Sequence, residues 1–351
     1  MKISSDFYGK YENKDIKEYT LTNTQGVSIS AIPFGAVLTK IVTPDKRGNR
    51  AAITLNVDNI EDMINYRPFY GAVIGRTAGR IAQGKFQLSG RTVHVDTNEG
   101  GNQLHGGPQG LDTQLWAIET EVEADGSAGR LIFRYNSPAG ENGFPGNMEI
   151  KVTYTLTETN DWIIDYSAST DARTPFNPTH HVYFNLTGDV SQSVLNHELK
   201  LNSQQFAPLT QDNLPTGKLE NTEGTPFDFS EAKSVGEAVL SAHPQIKPLN
   251  GLDHPFVIKK NGKNKVDGSL YDPMSGREVQ FQTDRDSVVI FTHNEAINDF
   301  SIEGRPVRQY AGITLETQQL PDALNQPGFG NIVLEPGETY QSRTIYSFGL
   351  R

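Results

Sequence analysis

The chain has 351 residues and a formal charge of −11, from 42 acidic and 31 basic side chains, with no run of Lys/Arg to offset it. That balance repels phosphate backbones and excludes nucleic acid as an expected partner, while the absence of cysteine excludes disulfides, thiolate nucleophiles, iron–sulfur clusters and cysteine zinc sites together. With 33 Gly and 19 Pro, long helices are disfavoured, yet 36% hydrophobic and 21% charged residues are enough for a buried core.

In chain order, the N-terminal stretch MKISSDFYGKYENK lacks an apolar run, and no later segment approaches the ~20 apolar residues of a membrane helix. A cytoplasmic location with no membrane partner is therefore expected. A strand is predicted over Gly26–Pro33 and a short helix over Asn59–Tyr66. Period-two alternation in Lys85–Leu88 and Arg91–Val95, joined by Ser89-Gly90, predicts a β-hairpin. Strands follow over Leu131–Tyr135 and, as a pair, through Ile150, Val152, Tyr154 and Leu156 and then Trp162, Ile164, Tyr166 and Ala168. The Pro/Gly-containing segment Pro138–Gly146 reads as an exposed loop. A second helix is predicted over Glu231–Leu240, opened by Asp228 with Glu231 three residues on, as in a capping box. The last strands fall at Val288–Thr292, Gly312–Thr317 and Thr344–Phe348. With no βαβ alternation, repeat period or linker, the expectation is an all-β chain: one large antiparallel β-sandwich domain over residues 1–351 with a few short helices.

Polar residues gather among turn-formers in five segments: GRTAGRI (75–81), NEGGNQLHGG (98–107), NPTHHVYFNLTG (177–188), LDHPF (252–256) and ITLETQQLPDALNQPGF (313–329). In the last, alternation sets Ile313 and Leu315 on one face and Thr314 with Glu316 on the other, so Glu316 is offered away from the core packing. Adjacent His180 and His181 point to opposite faces, so at most one serves a given small ligand; Tyr183 shares the face of His181. His105 stands beside Gly106-Gly107, whose bare backbone suits close approach of a ligand. Asp253 reads as a turn cap or a hydroxyl acceptor. Arg76 and Arg80 read as surface charges, or one of them as a fork to a polar ligand. One strand-borne Glu, a usable His, an Asp and an Arg, with no phosphate loop and no metal-ligand spacing, suit proton transfer on a polyhydroxylated substrate. No metal or other cofactor is expected.

The order and wording of GRTAGRI with the following GKFQLSG, LHGG, NPTHHVYFNL, GLDHPF and LETQQLPDALNQPGF resemble the aldose 1-epimerase (galactose mutarotase) family across nearly the whole chain. The resemblance implies the galactose mutarotase-like β-supersandwich with an open sugar cleft. It implies Glu316 as general base and His181 as general acid, with Arg80, His105 and Asp253 holding substrate. More weakly it implies Phe291 against a sugar face and Tyr183 along the cleft. The chain departs from the commoner pattern at Gly79 and His180, where Asn is usual, which puts the hydroxyl contacts there in question. The implied activity is interconversion of the α and β anomers of free aldohexoses such as galactose and glucose, by a monomer or homodimer. Such chemistry asks for an ionised base and a protonated acid. Hexose 6-phosphate epimerisation, glycoside hydrolysis by Glu316 with Asp253, and sugar binding without turnover are the competing readings.

Overall fold

A computed structural model describes residues 1–260, 262 and 265–351. Three antiparallel sheets carry most of the strand residues. The first joins Lys2–Tyr11, Lys14–Thr22, Ser28–Ala31, Leu38–Pro44 and Arg50–Ala52 in sequence order. The largest has nine strands, ordered Ala117–Val122, Ala128–Ser137, Met148–Thr157, Asp161–Thr170, Tyr340–Leu350, Arg277–Thr283, Gly268–Tyr271, Glu198–Leu201 and Lys233–Ser234. The third runs Glu220–Asn221, Ser203–Phe206, Asp253–Ile258, Ser287–Phe291 and Glu316–Gln318. One buried cluster contains Leu21 and Ile29 of the first sheet, Val152, Trp162 and Tyr346 of the second, and Phe206, Phe256 and Val288 of the third, so the three pack around a common core. Burying such side chains stabilises the fold by about 1.5–3 kcal/mol each before chain entropy is counted. This is the expected all-β, antiparallel architecture.

Local sequence explains the clearest elements. In Asp161–Thr170 every second residue, from Trp162 to Thr170, is buried, and the pairing of Leu156 with Trp162 and Val152 with Tyr166 keeps both strands' apolar faces inward. Ser89 and Gly90 both adopt positive φ (53° and 75°), as a two-residue hairpin turn with right-handed twist requires, and Leu88 pairs with Arg91. The helix Ile60–Tyr66 starts where Asn59 caps it by accepting from Asp62 N at 2.8 Å.

Two expectations need correction. Only Val235–Val239 of the second predicted helix is helical; Lys233–Ser234 instead extends the nine-stranded sheet beside Glu198–Leu201. Asp228 accepts from Ser230 N and Oγ, so the apparent capping box is a local Asp turn overridden by strand pairing. Segment 138–146 is exposed only at its tip: Phe144 is buried, and the Pro138, Pro145 and Gly146 carbonyls accept from the buried Arg76 guanidinium. Arg76 is thus a structural clamp rather than a ligand fork. No helix among the described residues is long and apolar enough to cross a membrane.

Candidate active site

Strand pairing brings distant motifs to one place. Gln103–Leu104 pairs with Arg80–Ile81, His105 N donates to Gly79 O at 3.0 Å, and Gly79 N donates to His105 Nδ1 at 3.2 Å, so GRTAGRI and LHGG are zipped together. With Nδ1 occupied as an acceptor, the neutral His105 ring carries its proton on Nε2. A Cβ at Gly106 would stand 1.7 Å from Gly75 O, and one at Gly107 2.9 Å from the Asn142 side chain. These glycines therefore make room for protein, not for a ligand as the sequence suggested. Tyr183 pairs with Thr314, Asp253 with Phe291, and Val289 with Glu316, which sets the remaining motifs side by side.

The product is a cleft of about 550 Å³, and all eight candidates line it: Gly79, Arg80, His105, His181, Tyr183, Asp253, Phe291 and Glu316. His180 does not. Its ring lies in the core, with Nε2 3.0 Å from Tyr154 Oη and an edge contact to Trp162, as opposite-facing neighbours in a strand require.

Glu316 Oε1 lies 3.4 Å from His181 Nε2, both side chains being almost fully buried. Thr314 Oγ1 donates to that same oxygen at 2.9 Å and accepts from Phe291 N at 3.1 Å, which fixes the carboxylate. Arg80 binds Glu99 through two hydrogen bonds of 2.6 and 2.7 Å and turns Nη1 toward Asp253 at 3.7 Å. Burial pushes the Glu316 carboxyl up to about 8, with Asp253 adding to it and Thr314 and Arg80 opposing, while burial pushes His181 down to about 4. Burial also raises Asp253 to about 6 against the pull of Arg80. The pair's proton therefore rests on Glu316, the reverse of the ionised-base, protonated-acid distribution expected from the chemistry alone. The reason is that both groups are out of water, and a neutral pair costs less to bury than two ions.

Several lining residues were not singled out from the sequence. Phe69, at φ 62°, packs its ring 5.0 Å from His105 and 5.8 Å from His181. The Arg67 guanidinium lies over Phe69 and is held by Asp112 and the Gly107 and Pro108 carbonyls. Glu99 sat within a highlighted segment, but only the fold reveals its hold on Arg80. Tyr70 and His293 complete the wall beside Tyr183. Among the described residues no group of three or more His, Asp or Glu side chains is arranged to hold a metal ion.

An antiparallel β-supersandwich with a buried His–Glu pair in a cleft defines a class of sugar-ring isomerases, and comparison with known proteins agrees. The family model for aldose 1-epimerase matches residues 17–347. Galactose mutarotase of Rattus norvegicus is 33% identical over 338 residues, 95% of this chain and 94% of the rat protein. Maltose epimerase of Levilactobacillus brevis is 33% identical over 99% of each chain. The crystal structure of galactose 1-epimerase from Lactobacillus acidophilus superimposes with a TM-score of 0.88 at 29% identity, covering 99% of both chains. The chain belongs to the aldose 1-epimerase family. It is an isomerase of the epimerase/mutarotase class, in a family that acts on sugars.

Proposed function

We propose that the protein interconverts the anomers of free aldohexoses such as galactose and glucose, with Glu316 as base and His181 as acid. The observation that carries this reading is the 3.4 Å approach of the two groups inside a sugar-sized cleft of mixed polar and apolar lining. Oε1 of Glu316 is already engaged by Thr314, which leaves Oε2 to receive the proton of the C1 hydroxyl. As that proton leaves, C1=O1 forms, the C1–O5 bond breaks, and O5 takes the proton of His181. The resulting open aldehyde rotates about C1–C2 and recloses with each proton returned, so the protein is unchanged after a turnover.

The protonation preferences of the pair suit this cycle. Protonated Glu316 and neutral His181 are the states the pair holds while the sugar is open. With the closed sugar bound, the C1 hydroxyl donating to the Glu316 carboxylate and O5 accepting from the His181 imidazolium supply the bias the other way, so neither stage is strongly favoured. In this reading Arg80 and Asp253 hold sugar hydroxyls, His105 Nε2–H is a further donor, and Phe291 and Tyr183 are apolar surfaces for a ring face; that all five line one cleft supports it.

The cleft disfavours two rivals. Its cations, Arg67 and Arg80, are each already paired with a carboxylate, while Asp253 and Glu295 add negative charge, which is poor ground for a sugar phosphate. A hydrolase needs a second carboxyl group across the scissile bond, whereas the near partner of Glu316 is His181 and Asp253 is turned to Arg80. The family match over residues 17–347 supports treating residues 1–351 as one functional unit. A cytoplasmic monomer or homodimer, working without metal or cofactor, completes the proposal. Polarimetry on freshly dissolved α-D-galactose tests it, with isothermal calorimetry alongside: acceleration over buffer is expected, and binding without acceleration would identify a sugar-binding module instead.

A further inference from the structure

Most buried histidines outside the Glu316–His181 pair have an evident structural task. His180 meets Tyr154, His197 accepts from Leu186 N, and His254 accepts from Asp253 N. His293 differs. It follows the strand Ser287–Phe291, is 3% exposed, and adopts φ 48°, a left-handed conformation that glycine takes without strain and histidine does not. Its Nε2 lies 2.5 Å from Tyr70 Oη. Burial keeps the Tyr70 phenol protonated, so the hydroxyl donates to Nε2, and the neutral imidazole carries its own proton on Nδ1. That Nδ1 is buried without a partner among the described residues. An unpaired ring nitrogen is common to all four of these histidines, but only His293 combines it with a left-handed backbone and a place in the wall of the cleft, the kind of place where such strain accompanies function.

The rings around it form a chain of contacts. Tyr183 meets Tyr70 edge-on at 4.8 Å and His293 edge-on at 5.5 Å, and it also packs against the His181 ring at 5.0 Å and the Phe291 ring at 6.0 Å. The hydrogen bond between Tyr70 and His293 closes a triangle that leaves Tyr183 little freedom to tilt. Tyr183 in turn packs against the imidazole that faces Glu316. Tyr310 N donates to the His293 carbonyl at 2.8 Å, which pins the bend from behind.

We propose that His293 is a positioning residue: hydrogen-bonded to Tyr70, it clamps the Tyr183 ring so that His181 keeps its orientation toward Glu316. The proposal rests on the reading of His181 as the acid. Its effect is on turnover rather than on sugar affinity, because the clamp acts through the Tyr183 and His181 rings and neither Tyr70 nor His293 is assigned a sugar hydroxyl.

Kinetic comparison of Tyr70→Phe, His293→Gly and the double variant tests this, with His181→Asn in the same series. Glycine suits the backbone at 293, and Tyr70→Phe removes a single oxygen, so both variants are compatible with the fold. The expected result is a fall in kcat of about five- to tenfold for Tyr70→Phe with KM nearly unchanged. His293→Gly lowers kcat at least as much, and adding Tyr70→Phe to it costs nothing more, since the clamp is already open. Independent, multiplicative losses, or a lowered melting temperature with kcat intact, would overturn the proposal. An inactive His181→Asn beside an unimpaired Tyr70→Phe would remove the clamp and leave the proposed function standing. An active His181→Asn would remove both.

Discussion

His181 and Glu316 share one oxygen contact: Oε1 of the carboxylate lies 3.4 Å from Nε2 of the imidazole and also accepts the Thr314 hydroxyl. The pair thus has one anchored carboxylate oxygen, one free for chemistry, and room for a single proton between two buried groups.

That single proton sets the pH dependence. Below about 4 both groups are protonated and the base is lost; above about 8 the pair is empty and the acid is lost. The kcat/KM for galactose is expected to follow a bell with limbs near these values, measured by polarimetry from pH 3.5 to 9.5. A rate still climbing at the alkaline end would contradict it.

Selectivity against charge follows from the paired arginines. Galactose 6-phosphate is expected to show a kcat/KM at least about a hundredfold below that of galactose, because its dianion gains no unpaired cation and meets the lining Asp253 and Glu295 carboxylates. Equal efficiency for the two sugars, measured by polarimetry, would mean that the electrostatic reading of the cleft is wrong.

Gly79 offers a structural check. Its φ is 72°, and a Cβ there would lie 2.7 Å from the Pro321 Cβ. Gly79→Ala is expected to destabilise the protein by about 1–3 kcal/mol and to weaken sugar binding, by displacing the amide that holds His105. Denaturant unfolding and calorimetry read the two effects; an unshifted midpoint would show that Pro321 yields freely.

Acid should unfold the chain through its histidines. Burial depresses His105, His180, His181, His197, His254 and His293 below the ordinary value of 6.5, so these rings stay neutral in the fold and become charged once unfolded. Their contribution is complete above pH 6.5 and is lost as pH falls toward 4, by up to about 1.4 kcal/mol per pH unit for each ring. Glu316 and Asp253, and with them Asp112, Asp267 and Asp284, are raised by burial and act in the opposite sense, but these five are fewer than the six rings. The urea midpoint should therefore fall steadily between pH 6.5 and 4.5; a flat profile would contradict the neutral burial of these rings.

Much of this was legible in the sequence where the signal is local. Ser89-Gly90 dictates its hairpin, and alternation from Ile150 to Ala168 gives both strands and their faces. Period two also separates His181 from His180 and groups Thr314 with Glu316. What escaped depends on contacts between remote segments. Nothing near Glu99 foretells that it will grip Arg80, nor does 67–70 announce that Phe69 will pack against both His105 and His181. The helix expected at Glu231–Leu240 failed for the same reason, since pairing with Glu198–Leu201 claims Lys233–Ser234. The inverted proton preference of the Glu316–His181 pair is likewise a property of burial, invisible until the fold encloses it.

The most direct test of the account is mutarotation by Glu316→Gln, followed by polarimetry on α-D-galactose with calorimetry of sugar binding on the same preparation. The amide keeps the side chain's shape and can still accept from Thr314, but it cannot take the C1 proton. Turnover is expected to fall by about 10²–10⁴-fold while sugar affinity stays within a few-fold of the parent. Near-normal turnover by a correctly folded Glu316→Gln protein would contradict the assignment of Glu316 as the base.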